Sequence, residues 1–328
     1  MKNKNLKIII IVSIVIPSLI LISTVGLDAD RNDFPASHFI LETITVESFP
    51  IGISINPITN IVYVANNHSD TVSVIDGKTN LIKDKIKVGD GPTGISVNPK
   101  TNMIYVTNYY SDTVSVIDGK TNLIVKEIPV DNTPWGIDVD SENNLVYITS
   151  YFSNSISIID ETQNGMITTL KTYKPWGIDV DSETGYVFVV NRDSTNISVL
   201  KDNKIKNLVI SETPIRISPF DISYNEKTNL LYVTNSSLIS IIDLATNKIL
   251  EPISVGNNLA GITINSETNR IYASDIVNNV LYIIDGSTNM VQEEIKVGDH
   301  PISVEINSIT NTIYVVNEYS NSISVISN

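Results

Sequence analysis

A unit of about 42 residues is written seven times along this chain, and that repeat limits the fold more than any other feature. Copies start at Pro50, Pro92, Pro134, Pro175, Pro219, Leu259 and Pro301, at spacings of 42, 42, 41, 44, 40 and 42 residues. A fixed period of this size marks an array of supersecondary units, each able to bury its apolar face only against its neighbours. In the second copy, four runs (94–97, 103–107, 113–117 and 123–130) alternate in polarity and favour Ile, Val, Tyr and Thr. These are strand signals, and the Asn-, Asp- and Gly-rich stretches between them are turn signals. Two turns recur almost verbatim: Asn98-Pro99-Lys100-Thr101-Asn102 and Asp118-Gly119-Lys120-Thr121-Asn122. An Asx residue that closes its own turn, followed by a residue tolerating positive φ, suits a tight hairpin. Gly185 stands where other copies carry the last Asn, and glycine is the other residue comfortable there.

Four-stranded units of this length predict the blades of a propeller. The chain ends point the same way. The seventh copy runs out at Asn328 after three strands, while residues 38–46 (HFILETITV) match the fourth-strand run 80–88. The expectation is an all-β, seven-bladed β-propeller over residues 38–328, with four antiparallel strands per blade. An N-terminal strand completes the last blade and removes the exposed edges. A parallel β-helix is the rival, and it expects no such exchange between termini.

Residues 1–27 read as an export segment. Lys2, Lys4 and Lys7 precede an apolar stretch, 8–25, that closes on Thr24-Val25-Gly26. This is the pattern of a signal peptide. The stretch is also long enough for an uncleaved membrane anchor over 6–25. With Asp28 and Asp30 behind it, either version places the body outside the cell, after a linker at 28–37. The chain has no cysteine, which removes disulfides, thiolate metal sites and cysteine nucleophiles. Its net charge of −14 disfavours nucleic acid and anionic lipid as partners, leaving the N-terminal segment as the only membrane contact.

The run Tyr105-Val106-Thr107-Asn108, repeated at Tyr232-Val233-Thr234-Asn235 and in degenerate form in the other copies, resembles the YVTN family of β-propeller repeats. The resemblance covers about residues 38–328. It implies the propeller fold, and a functional range that runs from surface-layer and secreted proteins to lactonase-like enzymes and the haem-carrying propeller of some nitrite reductases. The last of these needs a companion cytochrome domain with paired cysteines, which a chain without cysteine lacks.

Candidate chemistry lies where the copies differ. At the x of Pro-x-Gly stand Ile51, Thr93, Trp135, Trp176, Phe220, Ala260 and Ile302, which brings both tryptophans and a phenylalanine onto three consecutive blades. The loops after the YVTN run add Tyr109, Tyr110, Tyr151, Phe152 and Tyr319 on the same expected face. Aromatic surfaces around a central depression suit stacking on a ligand, while the competing reading has the Trp/Phe trio wedged between blades. His68, His300 and Glu318 fall on neighbouring blades and form a candidate divalent-cation or general-base set. Two residues after the Gly slot, the copies read Ser54, Ser96, Asp138, Asp179, Ser223, Thr263 and Glu305, a polar ring with three charged members. Asn67, Asn196 and Asn235 begin N-glycosylation sequons. No dinucleotide, P-loop or nucleophile-elbow motif occurs, and no cofactor is expected beyond that cation. The leading expectation is an exported, non-enzymatic module that binds surface proteins or glycans. The alternative is a lactonase- or lyase-like hydrolase with a metal at the channel mouth.

Overall fold

Each repeat folds as one antiparallel meander. In blade two the strands are Pro92–Asn98, Met103–Asn108, Thr113–Asp118 and Leu123–Pro129. The computed structural model describes residues 38–163, 165–201, 204–209 and 219–327. The segment 1–27, taken as signal or anchor, and the linker 28–37 lie outside the described residues. The described chain builds seven sheets, six of them paired in sequence order and the seventh taking its outer strand from near the N-terminus. Its only helical elements are two short 3₁₀ turns, Asn67–Ser69 and Glu161–Gln163. No described helix is long and apolar enough to cross a membrane.

The expected closure is present. Ile40–Thr45 pairs antiparallel with Ser322–Ile326, with Ile44 opposite Ile323 and Thr45 opposite Ser322, so the N-terminal strand is the outer strand of blade seven. Two backbone bonds extend the pairing at its ends, from Val46 N to Asn321 O and from Ser327 N to Phe39 O. His38 adds a lateral tie. Its buried ring places Nδ1 2.9 Å from Glu293 Oε1 on blade six. Blade five departs from the pattern, because its outer edge is split into Lys248–Ile249 and Ile253–Ser254, both paired to Leu238–Asp243. Pro252 stands in the gap and has no N–H to give to a ladder.

The apolar core lies between blades. Tyr63, Val72 and Val74 of blade one pack with Ile95, Val97, Ile104 and Val106 of blade two, and comparable clusters recur around the ring. The tyrosine of each YVTN run is the wedge. Tyr63, Tyr105, Tyr147, Tyr232, Tyr272 and Tyr314 are buried, with Phe188 in the same place on blade four. The glycine of Pro-x-Gly is explained by close approach: a Cβ on Gly94 would run into the carbonyl oxygen of Trp135 on the next blade.

A chain of buried asparagines ties the hairpin face together. Asn98 Oδ1 accepts from the backbone N–H of Lys100 and Thr101 in its own turn, and its Nδ2 donates across the blade boundary to Asn144 Oδ1 at 3.1 Å. The same link joins Asn56 to Asn102, Asn225 to Asn269, Asn265 to Asn311 and Asn307 to Asn60. Blades three and four carry Asp140 and Asp181 instead, which have no donor to offer. Their partners have changed to match. Gly185 (φ +72°) offers no acceptor, and Asn229 Oδ1 is taken by Tyr224 of its own blade at 2.9 Å. Asn98→Asp should therefore cost about 1–3 kcal/mol in urea unfolding, because it sets a buried carboxylate against an acceptor. Adding Asn144→Gly, which copies the natural combination, should recover part of that loss.

Candidate functional site

The motif residues themselves position one end of the ring. Thr107 Oγ1 accepts from Gly94 N at 2.8 Å and donates to Trp135 O at 2.8 Å, pinning the tryptophan's backbone from the neighbouring blade. Thr149 does the same between Gly136 N (2.9 Å) and Trp176 O (2.6 Å). The loops after the second strands join the inter-blade connections: Tyr109 N donates to Gly91 O, Arg192 N to Lys174 O and Glu318 N to His300 O. The Pro-x-Gly starts and the post-YVTN loops therefore share a face, opposite the asparagine turns.

On that face the aromatic residues of blades two to five meet. The indoles of Trp135 and Trp176 stack at 4.0 Å between centroids, inclined by 26°. Tyr109 meets Trp135 edge-on at 6.0 Å, Tyr151 meets Trp176 at 5.6 Å and Phe220 meets Trp176 at 6.2 Å. Trp176 is buried within this packing, while Trp135 and Phe220 are half-buried. Two loops repeat one device. Tyr109 and Tyr110 form a T-shaped pair at 5.0 Å, and Tyr151 and Phe152 form another at 4.9 Å. In each pair the first ring braces a tryptophan and the second faces solvent, with Tyr110 68 % and Phe152 65 % exposed. Tyr319, also exposed, is not joined to this arc by any ring contact and lies at the boundary of blades seven and one.

Below the aromatics runs a channel cavity of about 430 Å³, lined by the innermost strands. Asp138, Asp179 and Glu305 stand on its wall with Ser54 and Ser96, and Asp221 joins them from the Gly slot of blade five. Among the described residues no basic side chain lines it. The carboxylates also clasp blades. Asp138 Oδ2 accepts from Val180 N (2.8 Å), Asp179 Oδ2 from Tyr224 N (2.6 Å) and Asp221 Oδ2 from Ile262 N (3.2 Å), each on the following blade. Burial is the largest influence on all four and raises their affinity for protons, against the pull of these N–H donors. Asp138 and Asp221 are pushed up to about 6 and Glu305 to about 8, while Asp179 is raised well above its ordinary value with the Asp138 charge adding to burial.

At the seam between blades seven and one, the rings of four residues form a ladder. His68 stacks on Phe49 (4.1 Å), Phe49 leans on Tyr319 (5.9 Å) and Tyr319 stacks on His300 (4.2 Å). His300 Nδ1 lies 2.5 Å from Glu318 Oε2, outside hydrogen-bond geometry. Burial raises the Glu318 carboxyl to about 7 and lowers His300, so both favour their neutral forms and the pair can hold one proton between them. His300 and Glu318 thus come together, while Phe49 and Tyr319 stand in the ladder between His68 and His300. Among the described residues no set of three His, Asp or Glu side chains is placed to hold a metal ion.

Of the sequon residues, Asn67 is buried with its Nδ2 donating to Pro92 O, Asn235 is buried, and Asn196 is half-buried at a strand start. Three contributors escape a sequence reading built on aromatic and histidine positions. Asp221 was visible as the departure from Gly in Pro-Phe-Asp. Arg192 occupies the register of Tyr109 and Tyr151 on the next blade, and its guanidinium carbon sits 4.1 Å from the Trp176 ring centroid. Phe49 lies in the blade-seven-to-one connection, which carries no repeated motif.

No family model matches the chain, and no curated protein matches it. Among solved structures, Kuenenia stuttgartiensis hydrazine synthase is similar, with a TM-score of 0.78 and 20 % sequence identity over 85 % of this chain and 96 % of that chain. At that identity the likeness is one of fold alone.

Proposed function

We propose that this protein is an exported, cell-surface or extracellular binding module whose aromatic mouth receives glycan or surface-protein ligands. The observation that carries the reading is the pair of T-shaped aromatic brackets on blades two and three, each holding one ring rigid against a tryptophan and the other open to solvent. A soluble protein gains no stability by exposing Tyr110 and Phe152, whereas braced aromatic rings give large contact area at small entropic cost on binding. The repeats of YVTN type and the basic-then-apolar N-terminus support placement among exported propellers. Near-identical blades supply the frame, and the variable mouth positions supply the asymmetry that recognition needs.

A screen of glycans and surface proteins tests this, run on the wild-type chain and on a Tyr110→Ala/Phe152→Ala variant. At least one ligand should bind the wild type and lose tenfold or more in affinity in the variant, with little change in melting temperature because both rings are exposed. Ligands that bind both proteins equally would place recognition elsewhere.

A further inference from the structure

We propose that the mouth takes a carboxylated oligosaccharide, a uronate- or sialate-bearing glycan, with Arg192 as the group that receives the carboxylate; this rests on the reading of the mouth as a ligand face. The residue after the second strand is Tyr109 in blade two, Tyr151 in blade three and Arg192 in blade four, so the guanidinium continues the aromatic arc in register. It lies 4.1 Å from the Trp176 ring centroid and 5.9 Å from that of Phe220, as the third layer on the Trp135–Trp176 stack. Stacking occupies the face of a guanidinium and leaves its in-plane N–H fork for an acceptor of matching geometry.

Within the described residues no carboxylate lies within ion-pair distance of that fork. The contrast with Lys174 is direct, since Lys174 is neutralised by Asp193 at 2.8 Å and Asp193 is held in turn by the Tyr151 hydroxyl at 3.1 Å. Arg192 is half-buried, and among the described residues its fork has no such partner, which marks where an external carboxylate fits. A glycan is favoured over an acidic peptide because the exposed rings recur one blade apart in the same bracket geometry. That recurrence suits a ligand of repeated rings, whose C–H faces can lie on Tyr110 and Phe152 in turn.

The test is calorimetric titration of the full chain in detergent with tetragalacturonate and its methyl ester, and with sialyllactose and lactose. It is run on the wild type, on Arg192→Gln and on Arg192→Lys. At least one acidic sugar should bind the wild type about tenfold or more tightly than its neutral counterpart. Arg192→Gln should abolish that preference, bringing the acidic and neutral sugars to the same affinity, and Arg192→Lys should keep only part of it. Equal binding of acid and neutral forms overturns the proposal, as does a preference that survives Arg192→Gln. In both cases the ligand face still stands if neutral binding is lost in Tyr110→Ala/Phe152→Ala. Binding of none of the four sugars also overturns it and leaves the face to be judged by the wider screen.

Discussion

A chain lacking residues 38–46 is expected to lose the cooperative fold of its monomer. The deletion strips the strand Ile40–Thr45 from Ser322–Ile326 and withdraws Ile44 and Val46 from the cluster that joins blade seven to blade one. It also removes the His38–Glu293 tie. A ring gains stability from every blade boundary, so damage at the one boundary closed by distant sequence weakens the whole circle. Losing two buried aliphatic side chains costs about 2–4 kcal/mol each, before any unpaired ladder bonds are counted. That sum is a large fraction of the 5–15 kcal/mol by which domains of this kind are stable. Size-exclusion chromatography should show aggregates or strand-exchanged oligomers, since an uncovered outer edge invites pairing. Ile44→Ala is the milder form and should lower stability by about 2–4 kcal/mol. A deletion variant that remains monomeric with an unchanged melting temperature would show that the closing strand contributes nothing to the ring.

The channel carboxyls predict a fold that weakens as pH rises. Glu305, Asp138 and Asp221 bind protons more tightly folded than unfolded, with folded values of about 8, 6 and 6. Their stabilisation is fully present below the ordinary carboxylate range. It is lost as pH climbs through those folded values, between roughly pH 4.5 and pH 8. Glu305 alone is worth about 3–5 kcal/mol over that window, so the melting temperature should fall by about 5–10 °C from pH 5 to pH 8.5. Glu318, raised to about 7, adds in the same direction, while burial of His300 works against it by weakening the fold at the acid end. The carboxylates lowered by local hydrogen bonds, such as Asp70 and Asp193, act below this window. Glu305→Gln isolates the effect. It should flatten the slope and make the protein more stable at pH 8.5 than the wild type. A slope unchanged by Glu305→Gln would mean that Glu305 is ionised in the folded protein throughout.

Most of the fold is legible in the sequence because a propeller repeats its own instructions. Seven related starts, four of them Pro-x-Gly, with seven YVTN-like runs and the asparagine turns, each state the same local geometry. The unfinished seventh copy states how the ring closes. What escapes is whatever departs from the repeat for a physical reason of its own. The split outer edge of blade five follows from Pro252, outside every motif. Asp221 sits in a slot normally kept for glycine by the close approach of the next blade, so a template reading passes over it although it completes the acid ring. Arg192 escapes because it is not aromatic, and only its register beside Tyr109 and Tyr151 and its stack on Trp176 reveal that it belongs to the same arc. The histidines show the opposite limit. Neighbouring loops bring His300 to Glu318, yet sequence distance gives no hint that Phe49 and Tyr319 fill the space towards His68.

The same geometry supplies the most direct test of the binding face. The chain's two tryptophans, Trp135 and Trp176, are stacked together at the mouth, so tryptophan emission reports on that site alone. Titrating a ligand found in the glycan and protein screen should change that emission saturably, with the same midpoint as the binding measured by calorimetry. The change should vanish in the Tyr110→Ala/Phe152→Ala variant. Tight binding that leaves the emission of Trp135 and Trp176 untouched would contradict the account and move the functional surface away from the mouth.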